Sequence, residues 1–163
     1  MPDLPELLCP AGTMEALDAA LHFGADAVYG GMKRFGLRAF AGNFDEAQLA
    51  QAVDKTHRLG RRFYLTMNVF PFDDQMEEFV ETARIAHEIG VDAVIVSDLG
   101  AIHRIGREVP GLDIHVSTQA NTTNSDSVRV YRSMGASRVV LAREMSMDNI
   151  EAMARELGDE IEL

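Results

Sequence analysis

His115 and Ser117 stand two residues apart in the run His115-Val116-Ser117-Thr118-Gln119-Ala120-Asn121. A histidine near a hydroxyl suggests a base and a nucleophile, the pair that covalent hydrolysis needs. The spacing argues against that pairing, because side chains two apart on one strand run parallel and stand about 6–7 Å apart. No Gly-x-Ser-x-Gly elbow is present to raise a serine on a sharp turn. A metal-dependent hydrolase needs about three His or carboxylate ligands on fixed elements. No His-Glu-x-x-His occurs, and Asp98, His115 and Glu144 would have to be gathered from separate segments. No Walker-type phosphate loop is present either. The single cysteine, Cys9, rules out an internal disulfide or a multi-cysteine metal site within the chain. It reads as a small apolar residue of a buried strand. No residue is assigned a proton-transfer role.

The polar residues are better understood through the elements that must carry them. One unit recurs: an amphipathic helix, a glycine, then a short apolar strand. Gly24 precedes Ala27-Val28-Tyr29, Gly60 precedes Phe63-Tyr64-Leu65, and Gly90 precedes Ala93-Val94-Ile95-Val96. Gly111 precedes Ile114-His115-Val116, Gly135 precedes Val139-Val140-Leu141, and Gly158 precedes Glu160-Ile161-Glu162-Leu163. Glycine accepts the left-handed conformation that ends a helix. With Leu7-Leu8-Cys9 as the first strand, the pattern predicts seven strands and six helices in parallel βαβ units. Even spacing, and the absence of Gly-x-Gly-x-x-Gly after the first strand, favour a (β/α) barrel of the TIM type over a doubly wound sheet. Such barrels usually need about 250 residues. Residues 1–163 are therefore expected to form a single N-terminal part of a barrel domain that stops before closure. A downstream region or a second subunit would cover the open edge.

Alternation along each strand divides the side chains into two sets. Ile114 and Val116, with Phe63, Leu65 and Met67, should face the helices. His115, Ser117 and Gln119, with Tyr64, Thr66 and Asn68, should face the interior. Barrel sites form at the C-terminal strand ends, which here read Pro10-Ala11-Gly12, Gly30-Gly31, Asn68, Asp98, Thr118 to Asn121, and Arg143-Glu144. Asn68, Asp98, His115, Gln119, Asn121, Arg143 and Glu144 are the expected substrate-binding residues. Structural alternatives stand beside them. Gly30-Gly31 could turn the chain, Asn68 and Asp98 could cap helices, His115 could be a satisfied interior histidine, and Arg143 could pair with Glu144. The loop after the second strand carries Lys33, Arg34 and Arg38. Arg34 and Arg38 suit an anion such as a carboxylate or phosphate, with local ion pairing as the alternative.

Acidic residues outnumber basic ones by 26 to 15, a net charge of −11. A field of that sign does not attract nucleic acid, so any such binding must come from a local basic patch. Acidic clusters such as Asp73-Asp74 with Glu77-Glu78 read as solvated helix faces. No apolar run approaches the roughly 18 residues of a membrane span, and the N-terminus lacks a signal pattern, so a cytoplasmic location is expected.

The opening Glu6-Leu7-Leu8-Cys9-Pro10-Ala11-Gly12 resembles the Glu-Leu-Leu-Ala-Pro-Ala-Gly opening of the collagenase-like peptidases, peptidase family U32. Cys9 stands where that family usually has alanine. The resemblance continues through Gly24 to Tyr29, Arg34 to Ala39, Thr66-Met67-Asn68 and Asp98-Leu99-Gly100. It is clearest in His115 to Asn121 and in Leu141-Ala142-Arg143-Glu144-Met145-Ser146, and it spans essentially the whole chain. It implies the N-terminal barrel of a longer protein, with peptide-bond hydrolysis as the leading expectation. Similar sequences imply an alternative, an iron–sulfur-dependent hydroxylase of RNA bases or a small aromatic. The cluster would lie in the full-length protein, with no cofactor held by this chain. A non-catalytic assembly unit is the third reading. The partners expected across these readings are a peptide, an RNA or a small anionic substrate.

Overall fold

A computed structural model describes residues 5–33, 35 and 43–163. Among these residues lie six strands: β1 (Leu8–Pro10), β2 (Ala27–Gly31), β3 (Arg62–Met67), β4 (Ala93–Val96), β5 (Asp113–Val116) and β6 (Ala136–Val139). They alternate with six α-helices: α1 (Met14–His22), α2 (Glu46–Arg58), α3 (Met76–Ile89), α4 (Leu99–Glu108), α5 (Ser125–Ser133) and α6 (Met147–Leu157). Every pairing is parallel, and the strand order is β1 to β6 without reversal. A doubly wound sheet reverses order at its switch point. An unbroken order is that of a (β/α) barrel.

Local signals set the element boundaries. Thr13, Asp45, Asp98, Asn124 and Ser146 each accept a hydrogen bond from a backbone N–H in the first turn of the helix they open. Asp45 also completes a capping box with Gln48. At the other end of each unit, Gly24, Gly60, Gly90, Gly111, Gly135 and Gly158 all have positive φ. Gly90 takes the left-handed exit that the repeat predicts, whereas Gly158, with φ 55° and ψ −134°, leaves α6 by a different conformation.

The two faces of the sheet differ as alternation requires. Val28, Phe63, Leu65, Met67, Val94 and Ile114 pack with the helices in one continuous core. The interior face carries a smaller cluster of Ala27, Tyr64 and Ala93, against which Leu8, Tyr29 and Ile95 lie partly buried.

At the N-terminal strand ends, polar side chains meet across the interior. The Tyr64 hydroxyl donates to Glu6 at 2.9 Å, and Arg138 donates to Glu6 at 2.8 Å. Arg62 adds a longer hydrogen bond to Glu6 at 3.3 Å. The other end of the Arg138 guanidinium pairs with Glu162 at 2.8 Å, and its carbon lies 5.2 Å from the Tyr64 ring centroid. The His115 ring stands edge-on to Tyr64 at 4.6 Å. Side chains from β3, β5, β6 and the approach to β1 can touch like this only because the sheet curls.

Three expectations change. β6 begins at Ala136, three residues before the apolar run Val139-Val140-Leu141, because Arg138 occupies an interior position and breaks the apolar pattern. The seventh strand is reduced to one bridge. A 3₁₀ turn fills Gly158–Glu160, and Glu162 alone pairs with Arg138. Gly30 and Gly31 do not turn the chain, since they continue β2 in register with Leu65 and Thr66 and neither has positive φ.

Candidate functional site

A cavity of about 390 Å³ opens at the C-terminal strand ends. Leu8, Tyr29 and Ile95 give it an apolar wall from the barrel interior. Polar groups reach it from four connections: Asn43 before α2, Asn68 after β3, Ser117 to Gln119 after β5, and Arg143 after β6. Its size falls within the roughly 300–1,000 Å³ of small-molecule sites.

Hydrogen bonds between neighbouring connections hold these groups. The Thr66 hydroxyl donates to the Gly30 carbonyl at 3.0 Å, and the Thr118 hydroxyl donates to the Leu141 carbonyl at 3.1 Å. The Ser97 hydroxyl lies 3.2 Å from the Asn68 carbonyl and 3.1 Å from Gln119 Oε1. With a single proton it serves one of them fully at a time. The Gln119 backbone N–H donates to Ser117 Oγ at 3.3 Å.

Two adjacent glycines shape the wall in different ways. A Cβ on Gly30 would stand 2.5 Å from the Ala11 carbonyl oxygen, so β2 and the turn after β1 approach as closely as they do only with glycine there. The atoms nearest to a Cβ on Gly31 would be the Thr66 hydroxyl and the Asn43 amide, at 3.0 and 3.1 Å. Gly31 therefore leaves room inside the cavity.

Of the expected site residues, Asn68, Gln119 and Arg143 line this cavity. Asp98 does not line it. Its Oδ1 accepts from the Ala101 N–H at 2.8 Å and caps α4. His115 lies beneath, buried against Tyr64. Burial, followed by the cationic Arg138, pulls its pKa down to about 4, so the ring is neutral near pH 7. Asn121 ends the 3₁₀ turn Thr118–Ala120 in a left-handed conformation with φ 55°. Glu144 is exposed in the turn after β6 and forms no ion pair with Arg143. Arg34 and Arg38 lie outside the described residues, and Lys33 pairs with Asp45 at 3.5 Å. Reading the sequence missed Asn43 and Ser97. It also missed the Glu6–Tyr64–Arg62–Arg138 network, whose one visible signal was a charged residue inside a strand.

The wall thus offers amides, hydroxyls and one guanidinium. Such groups can bind and orient a ligand by hydrogen bonding, and among the described residues of the wall no nucleophile is paired with a base. An iron–sulfur cluster does not fit the described residues. The chain has one cysteine, and no three His, Cys, Asp or Glu side chains converge among the described residues.

Residues 12–163 match peptidase family U32. The chain is 38% identical over 160 residues to tRNA hydroxylation protein P of Escherichia coli (strain K12), covering 98% of this chain and 35% of that protein. It is 34% identical over 148 residues to the 23S rRNA 5-hydroxycytidine C2501 synthase of the same organism, covering 91% of this chain and 22% of that protein. A collagenase of Porphyromonas gingivalis is also 34% identical, over 149 residues, covering 91% of this chain and 35% of that protein. The chain spans 34–37% of the length of three tRNA hydroxylation proteins that it matches. Among solved structures, the U32 peptidase Mk0906 superposes with a TM-score of 0.75 at 15% identity, covering 95% of this chain and 66% of that chain. That likeness is one of fold.

These relatives overturn peptide hydrolysis as the leading expectation. Proteins at 37–38% identity across nearly the whole chain are named for tRNA hydroxylation in three bacteria. The collagenase matches at 34%. No helix among the described residues is long and apolar enough to cross a membrane.

Proposed function

The chain belongs to peptidase family U32, and we propose that it forms the substrate-facing barrel of a protein that hydroxylates bases of tRNA. The observation that carries this reading is the 38% identity to tRNA hydroxylation protein P over 98% of the chain. The cavity supports it on chemical grounds. An enzyme acting on a base must take it out of the stack and read its hydrogen-bonding edge in a pocket. Asn68, Gln119, Ser117 and Thr66 supply neutral donors and acceptors of that kind, beside an apolar wall suited to a ring face. A net charge of −11 repels a polyanion. Recognition on this reading is therefore local, through the cavity and its rim. The barrel residues bind and orient the base, and no oxidation step is assigned to them.

The test is deletion of the encoding gene in its source organism, followed by digestion of purified tRNA and of ribosomal RNA to nucleosides for mass spectrometry. A hydroxylated nucleoside should vanish from the tRNA fraction and return on complementation. Unchanged nucleosides in both fractions would overturn the proposal. Loss from the ribosomal fraction alone would move the substrate to ribosomal RNA.

A further inference from the structure

We propose that Arg143 is the phosphate anchor of the cavity, holding a backbone phosphate of the nucleotide whose base enters it. The inference rests on the RNA-hydroxylation reading and adds a residue with a defined contact. Arg143 is the one formally charged side chain among the described residues lining the cavity. In a chain with 26 carboxylates and 15 lysines and arginines, cations are readily matched. Arg61, Arg84, Arg104, Arg129 and Arg138 all pair with carboxylates. Arg143 has no such partner among the described residues, and no carboxylate lines the cavity with it. Among the described residues it is the one charge at the mouth of the cavity.

The main chain beneath Arg143 is held firmly. The buried Ala142 donates its N–H to the Thr122 carbonyl at 3.0 Å, and the Met145 N–H closes the turn onto the Ala142 carbonyl at 3.3 Å. The Thr118 hydroxyl ties Leu141 to the connection after β5. The anchored backbone fixes where the side chain starts, while the exposed guanidinium stays free to meet a ligand. A guanidinium presents a planar fork of donors that matches phosphate oxygens two at a time. A base among the amides of the wall would bring its own sugar–phosphate to the rim where this fork stands.

The experiment measures tRNA binding and tRNA hydroxylation against salt concentration, using the protein expressed from its own gene and its Arg143→Gln and Arg143→Lys variants. Each phosphate neutralised on a single strand contributes about 0.7 to the slope of log affinity against log salt. Arg143→Gln should make that slope shallower by about 0.7 and weaken binding about tenfold at low salt. Arg143→Lys, which keeps the charge, should retain the slope. A slope unchanged in Arg143→Gln would overturn the proposal. So would a fall in kcat with tRNA binding intact, the result expected if Arg143 instead held a small carboxylate co-substrate. If wild-type protein binds tRNA but hydroxylates none, the functional reading fails, and the slope comparison still judges Arg143.

Discussion

The His115 ring is enclosed by Tyr64 at ring-contact distance, with Arg62, Arg138 and Glu6 around it. Burial comes first among the causes that lower its pKa to about 4 from 6.5, Arg138 adds to the lowering, and Glu6 opposes it. Because the folded value lies below the unfolded one, the unfolded chain binds more protons between these two pH values. Stability therefore rises with pH through that window. The contribution is fully present above about pH 6.5 and is lost as pH falls toward 4, on the order of 3 kcal/mol in all. Denaturant unfolding between pH 7 and 4.5 should show this loss in the wild type and much less of it in His115→Gln. The carboxylates with lowered values, Asp45, Glu77, Glu108 and Glu156, lose their contributions only at lower pH. Equal pH slopes for the two proteins would refute the assignment. The sequence shows that His115 shares a face with Ser117. It does not show that two residues along a strand, about 6.6 Å, separate a cavity-wall hydroxyl from a ring buried beneath it.

β2 ends on two glycines that play different parts. At Gly30 an added methyl meets the Ala11 carbonyl oxygen, Phe44 and Phe63, and the nearest of these is backbone that cannot yield without opening the sheet. Gly30→Ala should destabilise the fold by about 1–3 kcal/mol, read from denaturant unfolding. At Gly31 the same methyl meets two flexible polar side chains of the cavity wall. Gly31→Ala should stay within about 1 kcal/mol of wild type and weaken tRNA binding by filling the site. Equal stability losses at the two positions would contradict this division. The helix–glycine–strand unit was legible at this scale because left-handed glycines and N-cap side chains act within a few residues of themselves. The start of β6 was not legible, because an interior arginine in a strand looks like a surface residue until its partner is known.

At the scale of the whole molecule, Glu6 and Arg138, 132 residues apart, join the approach to β1 with β6 across the barrel interior. Their side chains are 19% and 11% exposed, so solvent screens them little. Burial works against the Arg138 charge, yet hydrogen bonds to Glu6 and Glu162 hold its pKa above the usual arginine value. Glu6→Ala would leave Arg138 with Glu162 and remove the acceptor of the buried Tyr64 hydroxyl, at a cost of about 1–3 kcal/mol. Glu6→Gln keeps an acceptor and should cost less. Thermal unfolding would decide, and a Glu6→Ala protein as stable as wild type would show that the tie contributes nothing. Periodicity and glycine spacing in the sequence determined the alternation of strands and helices, the barrel type and the facing of most strand residues, since each follows from the geometry of one element. Only the tertiary structure decided that Asn68, Gln119 and Arg143 share a cavity, that Asp98 caps a helix, and that Glu6 meets Arg138. Such meetings depend on the register and curvature of six paired strands, and a pattern of period two or 3.6 carries no information about either.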